Sequence, residues 1–421
     1  MKRASFVSAV VSGLFCLSGY VGSSQAAGFQ LLEYSVTGLG RSYAGAGVVG
    51  DDYSALAFNP AGMGLKQTAG GQVGVVLMNI KSEVKGDIYL SSNSAVRLTP
   101  YDNRTIILNE AAPHFFTQMP INDKMTFGLG FYAPFGLSTN YKNTWVGASH
   151  AKYSAIEGID VTPTVSYKIH EKWSVGVGVN FQRMYADLTN YPYLLLSGSP
   201  LQTARSKMEG DDWGVGYNAG VVFEPVQDTR IGIAYRSKIT HKLSGHHSIK
   251  MNGNTIAFGK GTAKLTTPES FMLSAYSKLN KKLGVATLLK WTKWSRFDDL
   301  IIKSFLSPTP FVTKEKWKNT WLASFGAEYY HSDKLTFRAG VSYDETPING
   351  AEYRTARIPD NNRIWVSAGL SYQYKNVTFD AGYTYMFVHD ASARHTIDGT
   401  KMEMKYHSRA NLLGFQIQYD F

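Results

Sequence analysis

Cysteine is almost missing from this 421-residue chain, and its single copy, Cys16, falls within an N-terminal leader-like stretch. Beyond residue 26 there is no thiol, which excludes disulfides, cysteine metal ligands and a cysteine nucleophile. Phe15 before it is too bulky for a lipoprotein processing site. No run of about 18 apolar residues follows residue 26 either, so no membrane-spanning helix is expected. Neither G-x-S-x-G nor H-E-x-x-H occurs, and no cofactor, metal site or enzymatic activity is expected. GAGVVG (45–50) fits G-x-G-x-x-G, yet no strand precedes it and Pro60 interrupts any helix after it, so it is not read as a nucleotide site. His241, His246 and His247 share no strand face at ligand spacing and are read as loop residues.

What is present points outward from the cell. Lys2 and Arg3 precede an apolar run from Phe6 to Val21, and Ser24-Gln25-Ala26 offers small residues for cleavage, so residues 1–26 are expected to be a signal peptide. The formal charge is +11, and without Lys2 and Arg3 there are 41 basic against 32 acidic residues. For an exported chain that excess points to anionic lipid and lipopolysaccharide, not nucleic acid.

Only 18% of residues are charged, while 26 Tyr and 40 Gly make this a composition of strands and turns. Trp173, Val175, Val177, Val179 and Phe181 are apolar at every second position, with small or polar residues between them. The pattern returns at 213–223, 335–343, 364–374 and 377–387. Short polar turns at 122–124, 170–172, 227–229, 280–282, 332–334 and 375–376 take turns with longer segments near 85–107, 134–153, 188–211, 248–262, 306–315, 345–362 and 389–408. Six short turns and seven long loops join about fourteen strands, the pattern of an outer-membrane β-barrel. Alternation alone leaves a soluble sandwich open. The last strand tips the reading: Leu413, Phe415, Ile417, Tyr419 and Phe421 resemble the terminal signal read by the barrel assembly machinery.

A fourteen-strand lumen is too wide for its own side chains to fill. Residues 27–67, with the strand-breaking Asn59-Pro60-Ala61, are therefore read as an N-terminal hatch plugging a barrel of residues 68–421. Its small residues suit packing against wall glycines at 176, 178, 214, 216 and 220. AGFQLLEYSVTGLGRSYAGAG (27–47) followed by FNPAGM (58–63) resembles the hatch of the FadL family of long-chain fatty acid transporters. LTFRAGVSYDETP (335–347) and IPDNNRIWVSAG (358–369) extend the resemblance. It implies passive capture of a lipophile, an internal apolar pocket, and sideways release through a kink in the third strand. Here that strand is interrupted by Pro134-Phe135-Gly136, where proline cannot donate to a ladder and glycine weakens it.

A carboxylate ligand wants an inward-facing cation. Strand parity puts Lys318 inside, opposite Trp317, Asn319 and Trp321, and places Arg236, Arg338 and Arg363 inside as well. Lys318 matches a pocket lysine of the family, whereas Arg338 is expected to pair with Asp344 or Asp380. The family's ligand arginine falls near Tyr185, and Arg183 has lipid-facing parity. Phe29 is taken as a ligand contact, and Leu194, Leu195 and Leu196 as a surface landing patch. Uptake of an aromatic hydrocarbon, a surface adhesin or receptor, and a hydrolase on the barrel rim stay open. A closed barrel needs no partner to cover an edge, so a monomer is expected.

Overall fold

The computed structural model describes residues 28–421 apart from 91–92, 98–103, 142–144, 146, 193, 197–198, 202–203 and 398–399, so the leader lies outside the described residues. Fourteen antiparallel strands form one sheet. In order they are β1 (Gly70–Leu90), β2 (Arg104–Pro120), β3 (Met125–Asn140), β4 (Tyr153–His170), β5 (Trp173–Asn190), β6 (Ala204–Val226) and β7 (Thr229–Arg236, continued by Ile239–Met251). There follow β8 (Asn254–Thr267 with Ser270–Lys278), β9 (Leu283–Thr292 with Asp299–Ser304), β10 (Ser307–Lys314 with Thr320–Tyr330) and β11 (Leu335–Asp344). The last are β12 (Arg363–Tyr374), β13 (Val377–Val388 with Ala391–Ile397) and β14 (Thr400–Asp420). Each strand pairs with the next, and β1 pairs with β14 from Gly70↔Asp420 to Leu90↔Thr400, which closes the barrel.

The apolar faces point out. On β14, Leu413, Phe415, Ile417 and Tyr419 are 40–49% exposed, while Leu412, Gln416 and Gln418 between them are at most 2% exposed. A sandwich buries its apolar faces against each other; here they line the outside of a closed sheet and polar side chains face the lumen, which is the arrangement a bilayer demands. All six short turns fall between strands as expected, but at least three of the long segments lie mostly in strands, 389–408 among them, where 391–397 belongs to β13 and 400–408 to β14. Segment 248–262 is β7 running into β8 through Asn252 and Gly253, whose φ values of 48° and 85° make a tight hairpin. Segment 306–315 likewise lies mostly in β10. Above the membrane the outward residues turn polar, so the apolar alternation fades although the strands go on. His241, His246 and His247 therefore stand on β7 and not in a loop.

Residues 28–66 occupy the lumen. Ser35 caps a short helix α1 (Val36–Gly40), its Oγ accepting from the Gly38 N–H at 2.9 Å. Helix α2 (Ala55–Phe58) runs into a 3-10 helix (Pro60–Leu65) that Asn59 caps through the Ala61 N–H at 3.1 Å. Proline at the first helical position suits that start. Of the five wall glycines expected to admit the hatch, only Gly176 and Gly220 meet it, against Pro60–Ala61 and Asn59. Gly178, Gly214 and Gly216 instead make room for wall side chains such as Thr164, His241 and Ser237. The closest backbone approach of hatch to wall lies elsewhere: a Cβ on Gly340 of β11 would sit 2.2 Å from the carbonyl group of Arg41.

Charge fixes the hatch to the wall. Arg41 of the hatch reaches Glu328 on β10 and Asp51 of the hatch, both at 2.6 Å. Arg338 on β11 closes the square at 2.8 Å from Glu328 and 3.1 Å from Asp51. Arg338 was expected to pair with Asp344 or Asp380; its acids are these two, because the hatch brings Asp51 into the lumen. The two guanidinium groups hold the Asp51 carboxyl well below the usual carboxylate range, against its burial. Removing one member of such a buried set costs about 3–5 kcal/mol. Arg41→Met should therefore loosen the hatch and raise single-channel conductance in planar bilayers, while the strands keep their resistance to unfolding in detergent. Conductance equal to wild type would show that the square does not hold the hatch.

Candidate functional site

The wall is interrupted at β3. Pairing of β2 with β3 runs only from Pro120↔Thr126 to Phe115↔Phe131. Beyond Tyr132, β3 pairs with β4 alone, and between Tyr132↔Asp160 and Phe135↔Gly158 two residues, Ala133 and Pro134, face the single Ile159. This bulge reverses the parity of the strand and turns Phe135 inward, where it is fully buried. The place β2 vacates is taken by the start of the hatch. Leu31 N–H donates to the Pro134 carbonyl and Gly136 N–H to the Phe29 carbonyl, both at 2.8 Å, with Gln30 bridged to Phe135.

The neighbouring strands break as well. Ser237–Lys238 interrupts β7, Pro268–Glu269 interrupts β8, 293–298 interrupts β9, and 315–319 interrupts β10. Side chains turned in at these breaks make an aromatic chamber. Phe29 lies at its centre, with ring centroids 4.8 Å from Trp294, 5.7 Å from Phe297 and Trp317, and 5.8 Å from Phe135. Gly28 threads past Trp317 at φ +65°, a conformation and a gap that leave no room for a Cβ. Its N–H donates to Asp360 at 3.0 Å, and Asp360 accepts from Thr346 and Arg363 in turn. Burial pushes the Asp360 carboxyl up, and the Arg363 beside it pulls the other way.

Against this geometry the expected site residues divide. Arg236 faces the lumen, but Asp160 holds it at 2.6 Å and Tyr132 at 3.1 Å. Arg363 is fully buried between Asp360 and Asp344 and clamps the hatch N-terminus. Phe29 and Phe135 meet in the chamber, while Pro134 and Gly136 bond the hatch through their backbone. Asn59 anchors the hatch floor, its Nδ2 donating to the Val221 carbonyl of β6 at 3.2 Å, with Pro60 and Ala61 beside β5. Lys318 is a correction: it is exposed, and Trp317 is the residue that points inward. The segment before β10 is not a strand, and Lys316 at φ 44° breaks the parity on which the expectation rested. Arg183 keeps its outward parity and pairs with Asp211 at 3.0 Å. The side chains of Leu194, Leu195 and Leu196 lie outside the described residues. Exposed apolar residues do stand on the outer hairpins of β8–β10, where Phe258, Phe305, Leu306, Phe311 and Val312 are each more than 40% exposed.

Lys290 went unremarked in the sequence although parity against Leu289 and Trp291 marks it as inward. It is buried on β9 and lines a cavity with Gln30, Leu32, Thr292, Trp294 and Asp344. No hydrogen bond or ion pair holds its ammonium among the described residues. About 20 Å³ of free space remains there, room for one water.

The chamber also holds a carboxyl. Glu315 accepts from Trp317 Nε1 at 3.2 Å, and burial pushes it up to about 8. An acid whose folded value is raised stabilises the fold in its protonated form, so that stability is present below about pH 4.5 and is lost as pH rises through 8. Protection of the Trp317 indole from hydrogen exchange, taken relative to free indole at each pH, should fall between those limits, and Glu315→Gln should flatten that protection profile. A profile that is the same in both proteins would remove Glu315 as the cause.

A closed fourteen-strand barrel with an apolar outer band, a plugged lumen and a broken wall defines an outer-membrane transport barrel. Residues 17–421 match the family of outer membrane transport proteins described as OMPP1/FadL/TodX, and the chain belongs to that family, whose members are channels, not enzymes. It is 31% identical to a 47 kDa outer membrane protein of Pasteurella multocida, over the whole of both chains. It is 29% identical to the long-chain fatty acid transport protein of Salmonella typhi, over 94% of each chain. The crystal structure of a FadL homologue from Pseudomonas aeruginosa superposes with a TM-score of 0.87 at 25% identity, covering 94% of this chain and all of that one. The toluene transporter TbuX of Ralstonia pickettii, at 19% identity and a TM-score of 0.65 over 92% of this chain and 98% of its own, shares the fold.

Proposed function

We propose that the protein carries hydrophobic compounds, long-chain fatty acids foremost, from the cell surface into the outer membrane without an energy source. The observation that carries this reading is the break between β2 and β3, sealed only by the start of the hatch, next to an aromatic chamber. A ligand lands on the apolar outer hairpins, displaces the hatch N-terminus around Phe29, and lies along the chamber. It leaves sideways between β2 and β3, where unpaired backbone is tolerable because it lines a filled cavity. The protein acts as a monomer, its sheet closed on itself.

Lys290 favours a fatty acid over an aromatic hydrocarbon. An ammonium with no hydrogen bond or ion pair among the described residues, beside an apolar chamber, suits a carboxylate head group, and toluene has nothing to offer it. A charge-assisted hydrogen bond contributes roughly 1.5–3 kcal/mol. Lys290→Met should therefore weaken oleate binding to the purified protein about tenfold or more and leave oleyl alcohol unaffected. Equal losses for acid and alcohol would remove Lys290 from the head-group site.

The exit has its own test. Replacing Pro134 and Gly136 together with Val restores a donor at 134 and strand propensity at both positions, favouring continued pairing with β2. Uptake of labelled oleate by cells should fall sharply while equilibrium binding to purified protein stays near wild type. If uptake persists with the β2–β3 gap shown closed, the ligand leaves another way, down past Asn59 and Pro60.

A further inference from the structure

The outer face of β7–β9 changes character at one height. Tyr217, Tyr235, Phe271 and Trp291 form a chain of ring contacts across β6–β9, with centroids 5.8, 4.8 and 6.0 Å apart. Such a girdle marks the membrane–water interface. Immediately beyond it the outward positions become Lys238, Lys242, Lys260, Lys264 and Lys303, all exposed, interleaved with Ser and Thr. Lys242 and Lys264 stand directly opposite one another in register, and Lys303 faces Thr262, between Lys260 and Lys264. Cβ atoms so placed are about 5 Å apart, and like charges there repel. None of the five makes an ion pair among the described residues. The other side of the barrel shows what a merely solvated face looks like. On β1 and β14, Lys81 lies 3.4 Å from Glu83 and Lys401 2.9 Å from Glu403, with the two signs interspersed.

We propose that this basic face of β7–β9 is a binding site for lipopolysaccharide. The lysines bind phosphate groups on its glucosamine and inner-core sugars, and the acyl chains lie against Phe271 and Trp291. Three things select this occupant. The face adjoins the outer leaflet, its charge is predominantly basic although Asp299 is also exposed on β9, and lysine ammonium groups are compact, mobile point charges suited to phosphate. A phosphate between Lys242 and Lys264 would relieve a repulsion that no ion pair relieves among the described residues.

The test is binding of diphosphoryl lipid A to the full-length protein in detergent, counted by native mass spectrometry. Wild type should hold it at least tenfold more tightly than Lys242→Gln/Lys264→Gln/Lys303→Gln, and should prefer it by a similar factor over fully dephosphorylated lipid A. The control Lys81→Gln/Lys401→Gln should bind as wild type does. Resistance of each barrel to unfolding in detergent confirms folding, and if the triple variant fails to fold, Lys264→Gln alone should lose about threefold. Equal binding by wild type and the basic-face variants would overturn the proposal. So would equal affinity for phosphatidylglycerol, which would reduce the face to a generic anionic contact.

Discussion

Four charged groups inside the barrel decide what the rest of the structure can be. A fourteen-strand sheet encloses more space than its inward side chains can fill, and the hatch that fills it is made of short helical turns with little propensity of their own. Their order comes from the wall. Arg41 and Asp51 alone would be a costly pair to bury, and so would Glu328 and Arg338. Joined, each charge has two opposite partners, and the hatch is fixed in position on β10 and β11. The N-terminal end is fixed by the same chemistry on a smaller scale, through Asp360, Arg363 and the Gly28 amide.

With the hatch held at both ends, its first residues can substitute for a strand. A lipid-facing wall cannot leave backbone donors and acceptors open, so the loss of β2 beside Pro134-Phe135-Gly136 has to be made good. Phe29 and Leu31 do it with two hydrogen bonds where a full strand would offer several. The seal is thus sufficient but short. The breaks in β7–β10 bring Trp294, Phe297 and Trp317 in behind it, so the thinnest part of the wall is backed by the most aromatic part of the interior.

Much of this was legible in the sequence, and what was missed has a common cause. Period-two alternation gives the strand count, the six short turns and the outward apolar face because a pleated sheet imposes it on every residue. It fails wherever the pleat fails. Lys318 was placed inside by extending the parity of β10 backwards, but Lys316 takes a left-handed conformation and Trp317 swings in instead. Phe135 should have faced lipid with Phe131, and the bulge at Ala133–Pro134 turned it inward. The upper half of β7 read as loop because its outward residues are Lys, Thr and Ser, and the histidines there were misassigned with it. The ionic square was out of reach, since its members lie up to 297 residues apart and nothing local marks them. Lys290 is different: the rule that misplaced Lys318 would have found it, because β9 is regular through that position.

The seal and the chamber share a residue. Phe29 offers its carbonyl to Gly136 across the gap and its ring to Trp294, Phe297 and Trp317 within the chamber. A guest that takes the place of the ring must move the backbone that carries it, and Gly28, fixed at φ +65° against Trp317, leaves little slack on one side. Filling the chamber and unsealing the wall are then one displacement of one short segment, with no separate gate required. The cost is limited to a few hydrogen bonds and ring contacts, which an incoming apolar chain replaces in kind. On the proposed route Asp51 and Arg41, some ten residues or more further along, would stay bound to β10 and β11, so that the lumen would remain plugged to water as the wall opened to lipid.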